Sequence, residues 1–163
     1  ATEIIDNFEK IYEAKWLNMM RDKLGLFGEN INDRELINNL LSWMENNKAD
    51  YTNTFCYLMN IRVSNSEIYN DKSFINWLDV WKKRSLMNNG SKEKQLDIML
   101  NANPSVIPRN HKVEEALTSA NDDDLKVMNK LLSVLDKPYG IQKGIEEYQS
   151  PSDNKEYQTF CGT

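Results

Sequence analysis

The sequence predicts an all-α fold, a single bundle of about seven helices followed by an irregular C-terminal tail. Apolar residues recur at i, i+3 and i+4 in almost every long segment, which is the period of an amphipathic helix. No run alternates apolar and polar residues, so nothing indicates a β-sheet. Of the 163 residues, 40% are hydrophobic, enough for one core. We therefore place a helical domain at residues 1–138 and an irregular tail at residues 139–163.

The first two helices have recognisable end signals. Lys23 and Gly25 close the first, because cations and glycine are favoured at helix C-termini. Asn32 stands three residues before Glu35, the spacing of a capping box, and predicts the start of the second. We predict a single apolar stripe along the first helix, formed by Ile4, Phe8, Ile11, Tyr12, Leu17, Met20 and Leu24.

Two more helices are predicted between residues 50 and 88, where aromatic residues accumulate. Asp50 or Thr52 can cap the third helix, and Ser73 the fourth. The fourth carries apolar residues at i, i+3, i+4 and i+7, namely Phe74, Trp77, Leu78 and Trp81. Lys82-Lys83-Arg84 is interpreted as its cationic last turn, and Asn89-Gly90 as the break that follows.

The last three helices lie on both sides of a connector that contains two prolines. Ser91 opens the fifth helix. The stretch Asn103-Pro104-Ser105-Val106-Ile107-Pro108 cannot lie inside a helix, because each proline lacks a donor N–H. Asn121-Asp122-Asp123-Asp124 lies between the sixth and seventh helices, and we interpret it as acidic capping and not as a calcium loop. Pro138 stops the seventh helix.

Composition excludes several classes of protein. The net charge of −5 argues against a nucleic-acid partner, since phosphate contacts need clustered Lys and Arg. No apolar run approaches the roughly 20 residues of a membrane span, and residues 1–6 do not resemble a signal peptide. Two cysteines favour a reducing compartment, so we expect a cytoplasmic protein. The chain opens inside a helical pattern without an initiator Met, as expected for an excised fragment and equally for a trimmed tag.

The sequence contains no complete catalytic constellation. The single histidine, His111, has no Cys or Glu at metal-ligand spacing, and we interpret it as a capping or packing residue. The run 25–28, Gly-Leu-Phe-Gly, is neither a P-loop nor a kinase glycine-rich loop. Glu114-Glu115 and Glu146-Glu147 are adjacent pairs that diverge on a helix, so we place them on solvated faces. The chain is predicted to hold no catalytic, cofactor-binding or metal-binding residue of its own.

Three tryptophans admit two interpretations. Large aromatic side chains can form a ligand box, but at helical spacing they more often pack a core. We favour the core for Trp43, Trp77 and Trp81.

Four blocks of sequence carry a resemblance that periodicity does not require. Residues 103–110 contain Asn103-Pro104 and, after four intervening residues, Arg109-Asn110, and residues 131–139 read Leu-Leu-Ser-Val-Leu-Asp-Lys-Pro-Tyr. Upstream are Trp16 with residues 20–26, and Leu36-Ile37 through residues 49–55. In order and spacing these blocks resemble the C-terminal region of the selenoprotein O family, also called the YdiU family. The likeness covers nearly the whole chain, although Cys56 stands where the family commonly has arginine.

The resemblance implies a kinase-like enzyme that transfers AMP from ATP to hydroxyl side chains of other proteins. ATP and Mg²⁺ are then expected for the full-length protein, whose nucleotide-binding residues lie upstream and have no counterpart here. This chain looks like the helical C-terminal part, partnered by the missing kinase-like core and by protein substrates. The alternative is an autonomous helical module for protein interaction or regulation.

The resemblance also draws attention to Cys161. Some family members carry selenocysteine third from the C-terminal end, and Cys161 occupies that position. Our hypothesis is a redox role, in which Cys161 pairs with a cysteine of the missing half; the alternative is an inert tail residue. Cys56, on an apolar helical face, is predicted to be buried and inert.

Overall fold

The structure, a computed structural model, describes residues 2–88 and 91–152, with the backbone alone for residues 2–6 and 88. Across those ranges the chain forms eight α-helices and no strand, which confirms the all-α prediction. An isolated antiparallel bridge joins Pro104 to Tyr139. The helices are α1 (Thr2–Lys23), α2 (Asp33–Asn47), α3 (Tyr51–Leu58), α4 (Lys72–Ser85), α5 (Lys92–Ala102), α6 (Asn110–Asn121), α7 (Lys126–Leu135) and α8 (Glu146–Gln149). Two short 3-10 turns, Ser66–Asn70 and Leu86–Asn88, lie before and after α4.

The predicted helix starts are partly confirmed. Asp50 caps α3 by accepting from the Asn53 N–H, and Ser91 caps α5. Asp71, not Ser73, caps α4, because its carboxylate accepts from the N–H groups of Ser73 and Phe74. These side chains satisfy N–H groups that have no partner within the helix.

The capping box predicted at Asn32 is absent. Asn32 makes no side-chain cap to α2. Its neighbour Asp33 is fully buried and accepts from the N–H of Asn30 at 2.9 Å. The start of α2 is therefore tied into the core by a carboxylate.

Most of the apolar core lies among α1 to α5. Phe55 and Phe74 are almost fully buried, and Trp43, Trp77 and Trp81 are each at most 8% exposed. Each indole N–H finds an acceptor: Trp43 donates to Asp71 at 2.8 Å, Trp77 to the Leu36 carbonyl at 2.8 Å and Trp81 to the Leu24 carbonyl at 2.9 Å. A buried indole needs such a partner, so these tryptophans are core residues, as predicted.

The first helix has two apolar faces instead of the single predicted stripe. Met20 and Leu24 are buried in the bundle, whereas Phe8 is 67% exposed and Tyr12 59% exposed. At 3.6 residues per turn, the face that contains Phe8 and Tyr12 lies about 120° around the helix from the face that contains Met20 and Leu24. The prediction was wrong because the step of five residues from Tyr12 to Leu17, instead of three or four, moves the apolar pattern to another face of the helix.

The end of α1 packs closely on α5. Gly25 has φ +62°, and a Cβ there would lie 2.5 Å from Cγ of Gln95. Only glycine fits this left-handed, crowded position. The glycine that marks the end of the first helix in the sequence is therefore required both by its backbone conformation and by the contact with α5.

A second apolar cluster is built by α6, α7 and the segment that leads into α8. Ala116, Leu131, Val134, Ile145 and Tyr148 are buried there. The acidic run between α6 and α7 forms a turn in which Asp124 accepts from the Lys126 N–H at 3.0 Å, in agreement with the capping interpretation. The predicted irregular tail differs from the structure at residues 146–149, which form a helical turn with Tyr148 and Gln149 buried.

Candidate functional site

The proline connector joins the two apolar clusters through a set of hydrogen bonds. Asn103 is 1% exposed, and its amide donates to the carbonyls of Lys23 and Met99, both at 2.9 Å. The Lys23 carbonyl lies at the end of α1, where carbonyls have no partner within the helix. The Met99 carbonyl, in the last turn of α5, also accepts from the backbone N–H of Asn103 at 2.9 Å. Ser105 donates its N–H to the Pro138 carbonyl at 2.7 Å, which links the connector to the segment that follows α7.

Arg109 lies at the centre of this junction. Its guanidinium donates to both carboxylate oxygens of Asp50, at 2.6 and 2.9 Å, and to the Gln149 carbonyl at 2.9 Å. Gln149 in turn donates to the Ser105 carbonyl at 2.7 Å. Asn53 adds a bond to the Gln149 carbonyl at 3.2 Å. Arg109, which belongs to the Arg-Asn pair that carries the family resemblance, thus holds α3, the connector and α8 together.

A buried ion cluster at the start of α2 was not recognised from the sequence. Asp33 accepts from Nε of Arg21 and from Nε of Arg84, each at 2.7 Å. Burial alone raises the pKa of Asp33, but the hydrogen bonds from the two arginines outweigh it and hold that pKa below its usual value. Arg84 continues the Phe74 and Trp81 face of α4, and a cation on an apolar face is a sequence signal for a buried anion.

The other residues singled out in the sequence are dispersed. His111 lies in the first turn of α6 and is half-buried. Glu115 and Glu147 are exposed and bind Lys112 at 2.9 and 3.5 Å, while Glu114 and Glu146 are also exposed, as expected of solvated faces. Within residues 2–88 and 91–152, no group of three or more His, Cys, Asp or Glu side chains is arranged to hold a metal ion.

Of the two cysteines, the structure describes Cys56. Cys56 is fully buried, and burial raises the pKa of its thiol to about 11, with the charge of Asp50 acting in the same direction. Its predicted burial is confirmed. Cys161 lies outside the described residues, so its redox role stays a prediction.

An open groove lies among α4, α5, α8 and the loop at residues 59–65. Its volume is about 1340 Å³. Two asparagines in the loop, Asn60 and Asn65, have left-handed backbones with φ of 59° and 55°. A hydrogen bond of 3.0 Å from Gln95 to Ser85 fixes the spacing of α4 and α5.

The groove combines apolar walls with a cationic rim. Leu78 and Leu96 are half-buried in its walls, and Leu86 is 77% exposed. Lys82, Lys92 and Arg62 are exposed at its rim, and Glu146 is the one acid among the described residues that line the groove.

Comparison with known proteins places the chain in a family. Residues 2–136 match the family model described as "Protein adenylyltransferase SelO". The chain belongs to the SelO family. Its similarity extends to proteins named "Protein nucleotidyltransferase YdiU" from Pelagibacter ubique, at 53% identity over 165 residues, Bacillus cereus, at 44% over 166, and Clostridium perfringens, at 41% over 165.

The similarity to SelO family members covers all of this chain but only 34% of each of these relatives. The chain therefore spans about a third of the length of the curated relatives it matches. Across the described part of this SelO family chain, no helix combines the length and apolarity needed to cross a bilayer.

Proposed function

We propose that this chain is the C-terminal helical part of a longer protein nucleotidyltransferase, in which it supports a catalytic core. The observation that carries the proposal is the match of the whole chain to a third of the length of proteins with that name. In this proposal the upstream part is kinase-like, binds ATP and Mg²⁺, and transfers AMP to hydroxyl side chains of other proteins in the cytoplasm. The helical part contributes no group to the reaction.

The uncovered face of α1 supports a packing role. Phe8, Ile11 and Tyr12 are each at least 50% exposed and lie together on the first half of the helix. The rings of Phe8 and Tyr12 stack at 6.3 Å, so the apolar surface is continuous. On the side of α1 nearer the bundle, Glu13 pairs with Arg34 at 3.0 Å. An apolar face directed away from the bundle suits burial against another body, and the upstream two-thirds of a YdiU-like protein supplies one.

The experiment compares AMP transfer by the full-length parent, by its upstream part alone and by the upstream part mixed with this chain. We expect transfer from labelled ATP by the parent, little by the upstream part, and recovery when this chain is added. The double variant Phe8→Ser/Tyr12→Ser should not restore transfer. Leu132→Ser, which alters an apolar side chain 58% exposed on α7, is the matched control and should restore it.

Calorimetry with ATP separates support from catalysis. We expect no heat of ATP binding with this chain alone, because the nucleotide site is proposed to lie upstream. Measurable affinity of this chain for ATP would overturn the proposal.

The alternative is an autonomous helical module for protein interaction. Apolar residues exposed on the hairpin of α6 and α7, namely Leu117, Leu125 and Leu132, favour it. Full activity of the upstream part without this chain would support that alternative.

A further inference from the structure

We propose that the groove among α4, α5, α8 and residues 59–65 binds an amphipathic helical segment of a partner protein, with apolar anchors flanked by carboxylates. The proposal concerns binding alone and does not depend on nucleotide transfer by a parent enzyme.

The size of the groove indicates a peptide and not a small molecule. Its volume of about 1340 Å³ exceeds the roughly 300–1,000 Å³ of typical small-molecule pockets. Its three cations are exposed at the rim and not buried at its floor. An amphipathic helix laid into a groove is a common way for such a surface to be filled.

The two helical walls present the same local pattern. On α4, Leu78 and Lys82 stand four residues apart, and Leu86 follows after another four. On α5, Lys92 and Leu96 are again four residues apart. Residues at i and i+4 share a helix face, so both walls offer apolar surface beside a cation.

Charge complementarity selects an acidic partner. Among the described residues, no carboxylate lies within ion-pair distance of Lys82, Lys92 or Arg62, although Glu93 follows Lys92 on α5. The whole chain carries a net charge of −5, whereas the described rim of the groove carries three cations and one acid. The rim is therefore opposite in charge to the chain as a whole. Rim charges of this kind steer an oppositely charged partner and suppress others.

Fluorescence anisotropy tests the proposal with the 163-residue chain. The probe is a short fluorescein-labelled helical peptide with leucines on one face and glutamates beside them. We expect saturable binding that weakens as salt is added and that is lost when the glutamates are replaced by lysine.

Two pairs of substitutions locate the binding surface. Lys82→Glu/Lys92→Glu should weaken binding about tenfold, because two rim attractions become repulsions. The control Lys126→Glu/Lys130→Glu changes two exposed lysines on α7 and should leave binding unchanged. Leu86→Ser should weaken binding without altering the charge. All these side chains are exposed, and circular dichroism checks that each variant is folded.

Several outcomes would overturn the proposal. One is the absence of saturable binding. Another is an equal loss of affinity in the Lys82→Glu/Lys92→Glu and Lys126→Glu/Lys130→Glu variants, because the peptide would then respond to the net charge of the chain and not to the groove. A third is binding to this chain but not to the full-length parent, because the groove is then covered by the rest of that protein.

Discussion

Arg109 joins three segments that are distant in sequence. Its guanidinium binds Asp50 at the start of α3 and the Gln149 carbonyl at the end of α8. The side chain of Arg109 is 11% exposed and that of Asp50 21%. Its Nε is buried without a partner among the described residues, so Nη1 and Nη2 make the hydrogen bonds to Asp50 and Gln149. Removing one member of such a pair leaves a poorly solvated charge.

Arg109→Ala is expected to lower the free energy of unfolding by about 2–4 kcal/mol, because Asp50 loses its cation in a mostly buried setting. Urea denaturation followed by circular dichroism measures the change. Arg34→Ala is the control, since the pair of Arg34 with Glu13 is 43% and 52% exposed and contributes about 0–1 kcal/mol. Equal effects of the two substitutions would contradict a special role for Arg109.

Cys56 provides a test of burial and pKa. Because burial raises the pKa of its thiol to about 11, the nucleophilic thiolate is scarce at neutral pH. In a Cys161→Ser background, the folded chain should not react with a thiol reagent at pH 8 and should react fully in denaturant. Rapid labelling of the folded variant at pH 8 would show that Cys56 is accessible.

The helix α1 shows what periodicity can and cannot predict at the scale of an element. Its existence and its end at Gly25 follow from the sequence, because an apolar period and a left-handed glycine are local properties. The division into two faces does not follow, since Phe8 and Met20 are both apolar and only the positions of α2 and α5 decide which is covered. The pairing of Asp33 with Arg21 was missed for the same reason: the partners meet only in the folded chain.

The two faces of α1 should respond differently to substitution. Phe8→Ser/Tyr12→Ser is expected to change the free energy of unfolding of this chain by less than about 0.5 kcal/mol, because both side chains are exposed. Met20→Ala, on the buried face, should cost about 2–5 kcal/mol through lost contacts and a cavity. Urea denaturation compares them, and a large loss for the exposed pair would show that the bundle covers that face after all.

At the scale of the whole molecule, the described residues form two apolar clusters joined by the connector at residues 103–109. The family-like residues act at this junction, where Asn103 closes α1 and α5 and Arg109 binds the segment around α8. Sequence alone predicted the connector but not its partners, because residues 145–149 have no sustained apolar period. In the structure, however, Ile145 and Tyr148 are buried in the second cluster with residues of α6 and α7.

Truncation tests whether the second cluster depends on this segment. A chain that ends at Ser152 should be more stable than one that ends at Gly144, because the shorter chain exposes the pocket of Ile145 and Tyr148 and loses the Gln149 bonds. Burying each of the two apolar side chains contributes about 1.5–3 kcal/mol, so we expect a difference of at least about 3 kcal/mol. Both chains lack residues 153–163, so the comparison isolates residues 145–152. Hydrogen exchange should place the loss of protection in α6 and α7; equal stability, or a loss confined to α1 and α2, would mean that the clusters are not coupled in this way.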